Sequence, residues 1–119
     1  MDKKITIRRI RRTKRTRAKI FGTDAKPRLA VFRSNKYFYL QLIDDEAKHT
    51  LISASTQELQ NKSPVGATKT EQANQLGGLL AKKALEAGIK TAVFDRRFYR
   101  YHGRVKAAAE GVRTGGLII

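Results

Sequence analysis

Residues 26–56, KPRLAVFRSNKYFYLQLIDDEAKHTLISAST, decide the fold. Leu29 to Phe32 are apolar at consecutive positions, the mark of a strand covered on both faces. The turn residues from Arg33 to Lys36 break that run. YFYLQLI then alternates, with Phe38, Leu40 and Leu42 on one side and Tyr37, Tyr39, Gln41 and Ile43 on the other. DDEAK forms a second polar turn, and HTLISAST resumes in β-branched residues. The stretch therefore predicts a three-stranded antiparallel meander.

Toward the C-terminus, a polar linker (57–67) leads into a helix. Thr68 and Glu71 have the spacing of a capping box, Ala73, Leu76, Leu80 and Ala84 recur at helical intervals, and Gly88 marks the end. Gly77 and Gly78 inside that helix each cost about 1 kcal/mol relative to alanine, which predicts close packing of the helix on the sheet. Ile89 to Phe94 reads as a short strand, and a helical crossover should set it parallel to an earlier one. Val105, Ala108, Ala109 and Val112 outline a last helix ending near Gly115-Gly116.

Toward the N-terminus, residues 1–22 carry ten basic side chains and one acid, Asp2. Ile5, Ile7, Ile10, Ile20 and Phe21 are too sparse for a continuous core-facing stripe, so the arm alone should fray and order as a helix along phosphates, with Gly22 as its stop. The predicted class is α/β: a basic N-terminal helical arm (1–22) followed by a β-β-β-α-β-α sandwich with a mixed sheet (23–119).

The 119 residues include 26 Lys and Arg against 10 Asp and Glu, a formal net charge of +16. So much like charge repels itself in the free chain, and a phosphate backbone is the commonest compensating partner. No run approaches the ~18 apolar residues of a membrane span, and no early apolar stretch reads as a signal segment, so the expected location is the cytosol, with no membrane partner. A peripheral role at a membrane surface lacks the amphipathic face it would need. Without cysteine there is neither a disulfide framework nor a thiolate metal site, and no cofactor is implied.

The densest chemistry lies in DRRFYRYHGRV, Asp95 to Val105, between the last strand and the last helix, where open α/β sheets present ligand-binding loops. Arg96, Arg97, Arg100 and Arg104 offer forked donors for phosphate, and Phe98, Tyr99 and Tyr101 offer flat faces for bases. Gly103 permits close backbone approach ahead of a helix N-terminus. A core could hold some of the aromatics, but it could not absorb four guanidinium groups against Asp95 alone. His102 has no serine or cysteine partner near it in sequence, so a contact to ribose or phosphate, or a helix cap, is more economical than catalysis. His49 suggests still less.

Two further basic segments accompany the loop. One is the arm, with Arg8, Arg9, Arg11, Arg12, Lys14, Arg15, Arg17 and Lys19; the other surrounds the first hairpin, with Arg28, Arg33, Lys36 and Tyr37. Together they could line one RNA-facing surface. The alternative is a metal-dependent nuclease built on Asp44, Asp45, Glu46 and Asp95. Turn chemistry accounts for the first three, and the arginines beside Asp95 would compete for it.

The segments KPRLAVFRSNKYFYLQLIDD, LISAST and FDRRFYRYHGRVKAAAEGVRTGGL closely resemble the bacterial form of large-subunit ribosomal protein eighteen. VFRS, IDD, SAST and FDR followed by YHGRV, in that order, form a highly specific combination. The resemblance implies a non-enzymatic protein that binds 5S ribosomal RNA and seats it, with 23S ribosomal RNA and the fifth large-subunit protein, in the central protuberance, as a monomer within the ribosome. It also implies RNA contacts from the arm, from Arg28, Arg33, Ser34 and Lys36, and from Arg96, Tyr101, His102, Gly103 and Arg104. Family members often carry small residues where this chain has Arg97 and Phe98.

Overall fold

The computed structural model describes residues 3–17, 20–34, 37–59 and 68–119. The order of elements is α1 (Lys3–Arg17), β1 (Arg28–Arg33), β2 (Phe38–Asp44), β3 (His49–Ser55), a 3-10 turn (Thr56–Leu59), α2 (Lys69–Glu86), β4 (Val93–Asp95) and α3 (Arg104–Thr114). The four strands form one sheet in the order β3-β2-β1-β4. β1 to β3 make the expected antiparallel meander, and β4 runs parallel to β1, with Leu29 beside Phe94. The mixed α/β architecture is the one predicted.

Alternation sets the faces of the sheet. Phe38, Leu40 and Leu42 are buried while Tyr39, Gln41 and Ile43 between them are half-buried. Leu29 and Val31 lie opposite Leu42 and Leu40, so the same face of β1 joins the core. Leu76 and Leu80 of α2 and Val105, Ala108 and Val112 of α3 complete that core. Both helices thus cover one face. The other carries Ala30, Phe32, Tyr39, Gln41 and Ser53.

α2 begins where the capping box predicts. Thr68 Oγ1 accepts from the Glu71 N–H at 3.1 Å, and Glu71 Oε2 accepts from the Thr68 N–H at 3.2 Å. Of the glycine pair inside it, Gly77 has a different role from the expected one. A Cβ on Gly77 would collide with the Ala108 carbonyl and the Val112 amide of α3, and one on Gly111 with the Asn74 carbonyl of α2. The close approach is helix to helix, not helix to sheet.

Two other expectations are corrected. The arm is helical from Lys3 to Arg17, as expected, but α1 ends well before Gly22. Gly22 is buried instead, because a Cβ there would strike the Ile43 carbonyl and the Arg28 amide. The last strand is shorter than residues 89–94, since only Val93–Asp95 pair with β1. Upstream, Thr91 bridges Ile118, with the Ala92 N–H donating to the Ile118 carbonyl at 2.8 Å, so the C-terminal tail extends the sheet beyond β4.

Candidate nucleic-acid interface

One arginine does not face outward. Arg28 forks onto Asp45, with Nε to Oδ2 and Nη2 to Oδ1 both at 3.0 Å, and its Nη1 reaches Asp95 Oδ2 at 2.7 Å. Its side chain is 8% exposed and that of Asp95 fully buried. The hydrogen bonds it donates to Asp45 raise its pKa, burial opposes them, and Asp95 adds to the rise. Both carboxylates also accept from the backbone. Asp45 Oδ2 accepts from the Gly22 N–H at 2.8 Å and Asp95 Oδ1 from the Arg97 N–H at 2.8 Å. Sequence reasoning grouped Arg28 with the RNA contacts; its position is that of an anchor beneath the 96–103 loop.

The same network bears on the nuclease alternative. Asp45 and Asp95 are committed to a guanidinium, and Asp44 Oδ1 accepts from the Glu46 and Ala47 N–H groups at 3.0 and 3.2 Å, which is turn chemistry. Among the described residues no three His, Asp or Glu side chains are grouped to hold a metal ion.

Beyond Asp95 the loop turns through Arg97, whose φ of 56° is unusual for a residue with a side chain. Two partners hold that conformation. Its N–H is fixed on Asp95, and its guanidinium lies 4.4 Å from the centre of the Phe32 ring on the open sheet face. Arg96 Nη1 donates to the Tyr99 carbonyl at 2.8 Å, closing the turn. Tyr99 reaches back to the end of β1, where its hydroxyl accepts from the Arg33 N–H at 3.0 Å. The loop is therefore tied to β1 at both ends.

Tyr101 is 41% exposed, sits edge-on to Phe94 and accepts from Arg113 Nη1 at 2.9 Å. Arg100 and His102 are exposed. Gly103 is the N-cap of α3 with φ 55°, and no side chain caps that helix, so His102 is not a cap. Ser34 is spent on the hairpin, its Oγ accepting from the Tyr37 N–H at 3.1 Å. Lys19 and Lys36 lie outside the described residues, as does the side chain of Arg17.

The remaining basic residues converge. Arg8, Arg11, Arg12 and Arg15 fall on one face of α1 by helical spacing, and together with Lys14 they line a hollow of about 500 Å³. Arg8, Arg9 and Arg12 share a second cavity with Arg33, Phe98 and Tyr99. Arg33 also lies close enough to Arg104 for its charge, after burial, to lower the Arg104 pKa. Arg104 in turn lines a small hollow with Tyr37, Lys69 and Gln72. An anion placed there relieves the repulsion.

Arm, first hairpin and loop thus meet on one side of the molecule. Sequence reasoning missed Lys69 and Arg113, which no local pattern links to Tyr37 or Tyr101.

The family model described as ribosomal L18 of archaea, bacteria, mitochondria and chloroplasts matches residues 3–119. The chain belongs to the ribosomal L18 family. Relatives named large ribosomal subunit protein uL18 include those of Thermotoga neapolitana, 54% identical over 111 residues (92% of this chain, 91% of that protein), and Dehalococcoides mccartyi, 54% identical over 110 residues (92% and 91%). That of Trichodesmium erythraeum is 50% identical over 109 residues (91% of each). L18 proteins are structural ribosomal constituents and not enzymes, which decides against the nuclease alternative. No described helix is long and apolar enough to cross a membrane.

Proposed function

We propose that this member of the L18 family binds 5S ribosomal RNA and helps attach it to 23S ribosomal RNA in the central protuberance, beside the fifth large-subunit protein. It works as a monomer within the ribosome and performs no chemistry. The observation that carries the reading is the shared cavity in which arginines of α1 and β1 meet the 96–103 loop. A basic surface assembled from three distant segments fits a folded polyanion better than a single extended strand. Phosphate contacts supply the affinity, and Tyr101 and His102, both exposed, take up bases or riboses.

Titration of the full chain with 5S RNA across a range of salt tests this. Log affinity should fall with log salt by about 0.7 to 0.9 for each phosphate neutralised. A salt-independent affinity, or equal affinity for unrelated RNA of the same length, overturns it.

A further inference from the structure

The two long helices of the body begin side by side. Gly111 of α3 lies against Asn74 of α2, Gly115 against Gly78 and Ala81, and Gly116 against Leu85. The contacts advance along both helices together, so α2 and α3 pack parallel. Their N-termini therefore share one end of the molecule, with Lys69 opening α2 and Arg104 opening α3. Parallel neighbours set the positive ends of two helix dipoles next to each other, and here each first residue adds a full positive charge. The first turn of α3 holds no acid. Glu71, the acid in the first turn of α2, is spent on the capping box.

Between those two ends lies a hollow of about 100 Å³, lined by Tyr37, Phe38, Thr56, Lys69, Gln72 and Arg104, with no carboxylate among them. It is rich in donors that lack acceptors. Thr56 is 8% exposed, and its Oγ1 accepts from the Phe38 N–H at 3.0 Å, yet its own proton meets no acceptor among the described residues. The Tyr37 hydroxyl, the Lys69 ammonium and the Arg104 guanidinium likewise donate to no described residue. Burial, and then the charge of Arg33, lower the Arg104 pKa, the behaviour of a cation without a counter-charge. Water would satisfy the hydroxyls and leave two positive charges facing each other; an oxyanion answers both needs. The volume is about that of three waters at ~30 Å³ each and well below the ~300 Å³ of the smallest ligand pockets, which suits one tetrahedral oxyanion and not a ring.

We propose that the hollow between the starts of α2 and α3 is a seat for a single phosphate group, held by Arg104 and Lys69 and by the hydroxyls of Thr56 and Tyr37. Lys69 and Thr56 thereby join the binding surface from segments that carry no basic motif. That the RNA backbone supplies this phosphate rests on the RNA-binding reading; the seat itself rests on the parallel helices and the unanswered donors.

The full chain, isotopically labelled for NMR, is titrated with inorganic phosphate and, at matched ionic strength, with chloride. Phosphate should give saturable shifts concentrated on Thr56, Lys69 and Arg104, and chloride should not. Lys69→Gln, at an exposed position, should weaken phosphate binding about tenfold, whereas Lys82→Gln, also exposed but farther along α2, should leave it unchanged. Tyr37→Phe, which removes only a hydroxyl, should weaken it by a smaller factor. In parallel, Lys69→Gln should reduce the salt slope of 5S RNA binding by about one. Shifts that grow without saturation over the whole basic surface, or equal losses in Lys69→Gln and Lys82→Gln, overturn the seat even when 5S RNA still binds. Saturable phosphate binding with an unchanged salt slope in Lys69→Gln overturns the RNA backbone as the source and assigns the seat to free phosphate. Phosphate binding by a chain that does not bind 5S RNA at all overturns the RNA reading and leaves the seat standing.

Discussion

Arg28 and Asp95 stand 67 positions apart and meet through a 2.7 Å hydrogen bond from Nη1 to Oδ2, at a place where the aspartate side chain is fully buried. The bond joins β1 to the root of the 96–103 loop. Asp45 takes the other fork of the guanidinium, so one residue ties the hairpin, β4 and the entry to β1 into a unit.

Removing one member of such a pair leaves a buried charge short of its partner. Asp95→Ala should lower stability by about 3–5 kcal/mol, since it also strips the Arg97 N–H of its acceptor. The midpoint of urea unfolding should fall accordingly; an unchanged midpoint refutes the anchoring role. The folded-state pKa of Arg28 is raised, so its contribution is fully present below the unfolded value and lost only as pH rises through the folded one. Arg28 should therefore add no pH dependence to stability between about pH 6 and 10.

Neighbouring glycines in α2 should respond with opposite signs. Gly77→Ala drives a methyl into the backbone of α3 and should cost about 1–3 kcal/mol. At Gly78 an added Cβ meets nothing within 4 Å, so Gly78→Ala should stabilise by up to about 1 kcal/mol through helix propensity. Thermal melts of the two variants decide it. Equal shifts would place the helix crossing elsewhere.

Arg97 combines a left-handed backbone with a stacked side chain. Arg97→Ala keeps the first and loses the second, whereas Arg97→Gly relieves the backbone as well. The glycine variant should therefore be the more stable of the two by about 1 kcal/mol. Chemical denaturation that ranks alanine above glycine would show that the φ of 56° is not maintained in solution.

Deleting residues 1–20 should weaken 5S RNA binding and flatten its salt dependence by about 0.7 to 0.9 per lost phosphate contact. The folded body should survive, because among the described residues the core of sheet, α2 and α3 contains none from α1. Collapse of the near-ultraviolet circular dichroism on deletion would contradict the division of the chain into arm and body.

What could be read from the sequence was local. The alternation in Phe38 to Ile43, the capping box of Thr68 and Glu71, and the apolar spacing of α2 and α3 each reflect neighbours a few residues apart, where the period of a strand or helix dictates which side is buried. Net charge likewise needs no coordinates, and it pointed to a polyanion. Order and identity of the motifs around Arg33 and Arg104 marked the family.

Tertiary structure decided the roles of residues whose partners are remote. Arg28 and Arg33 look alike in sequence, yet one is folded inward between Asp45 and Asp95 and the other lines a cation-rich cavity. Gly22 and Gly77 read as a helix stop and a sheet contact, and both turned out to be sites where another backbone comes too near for a Cβ. Phe98 became the seat of Arg9 only because α1 lies against the loop. Composition and periodicity fix how much charge and apolar surface a chain carries and which way each element faces; which charges are neutralised internally, and which are left for a ligand, depends on contacts between segments that only the folded chain brings together.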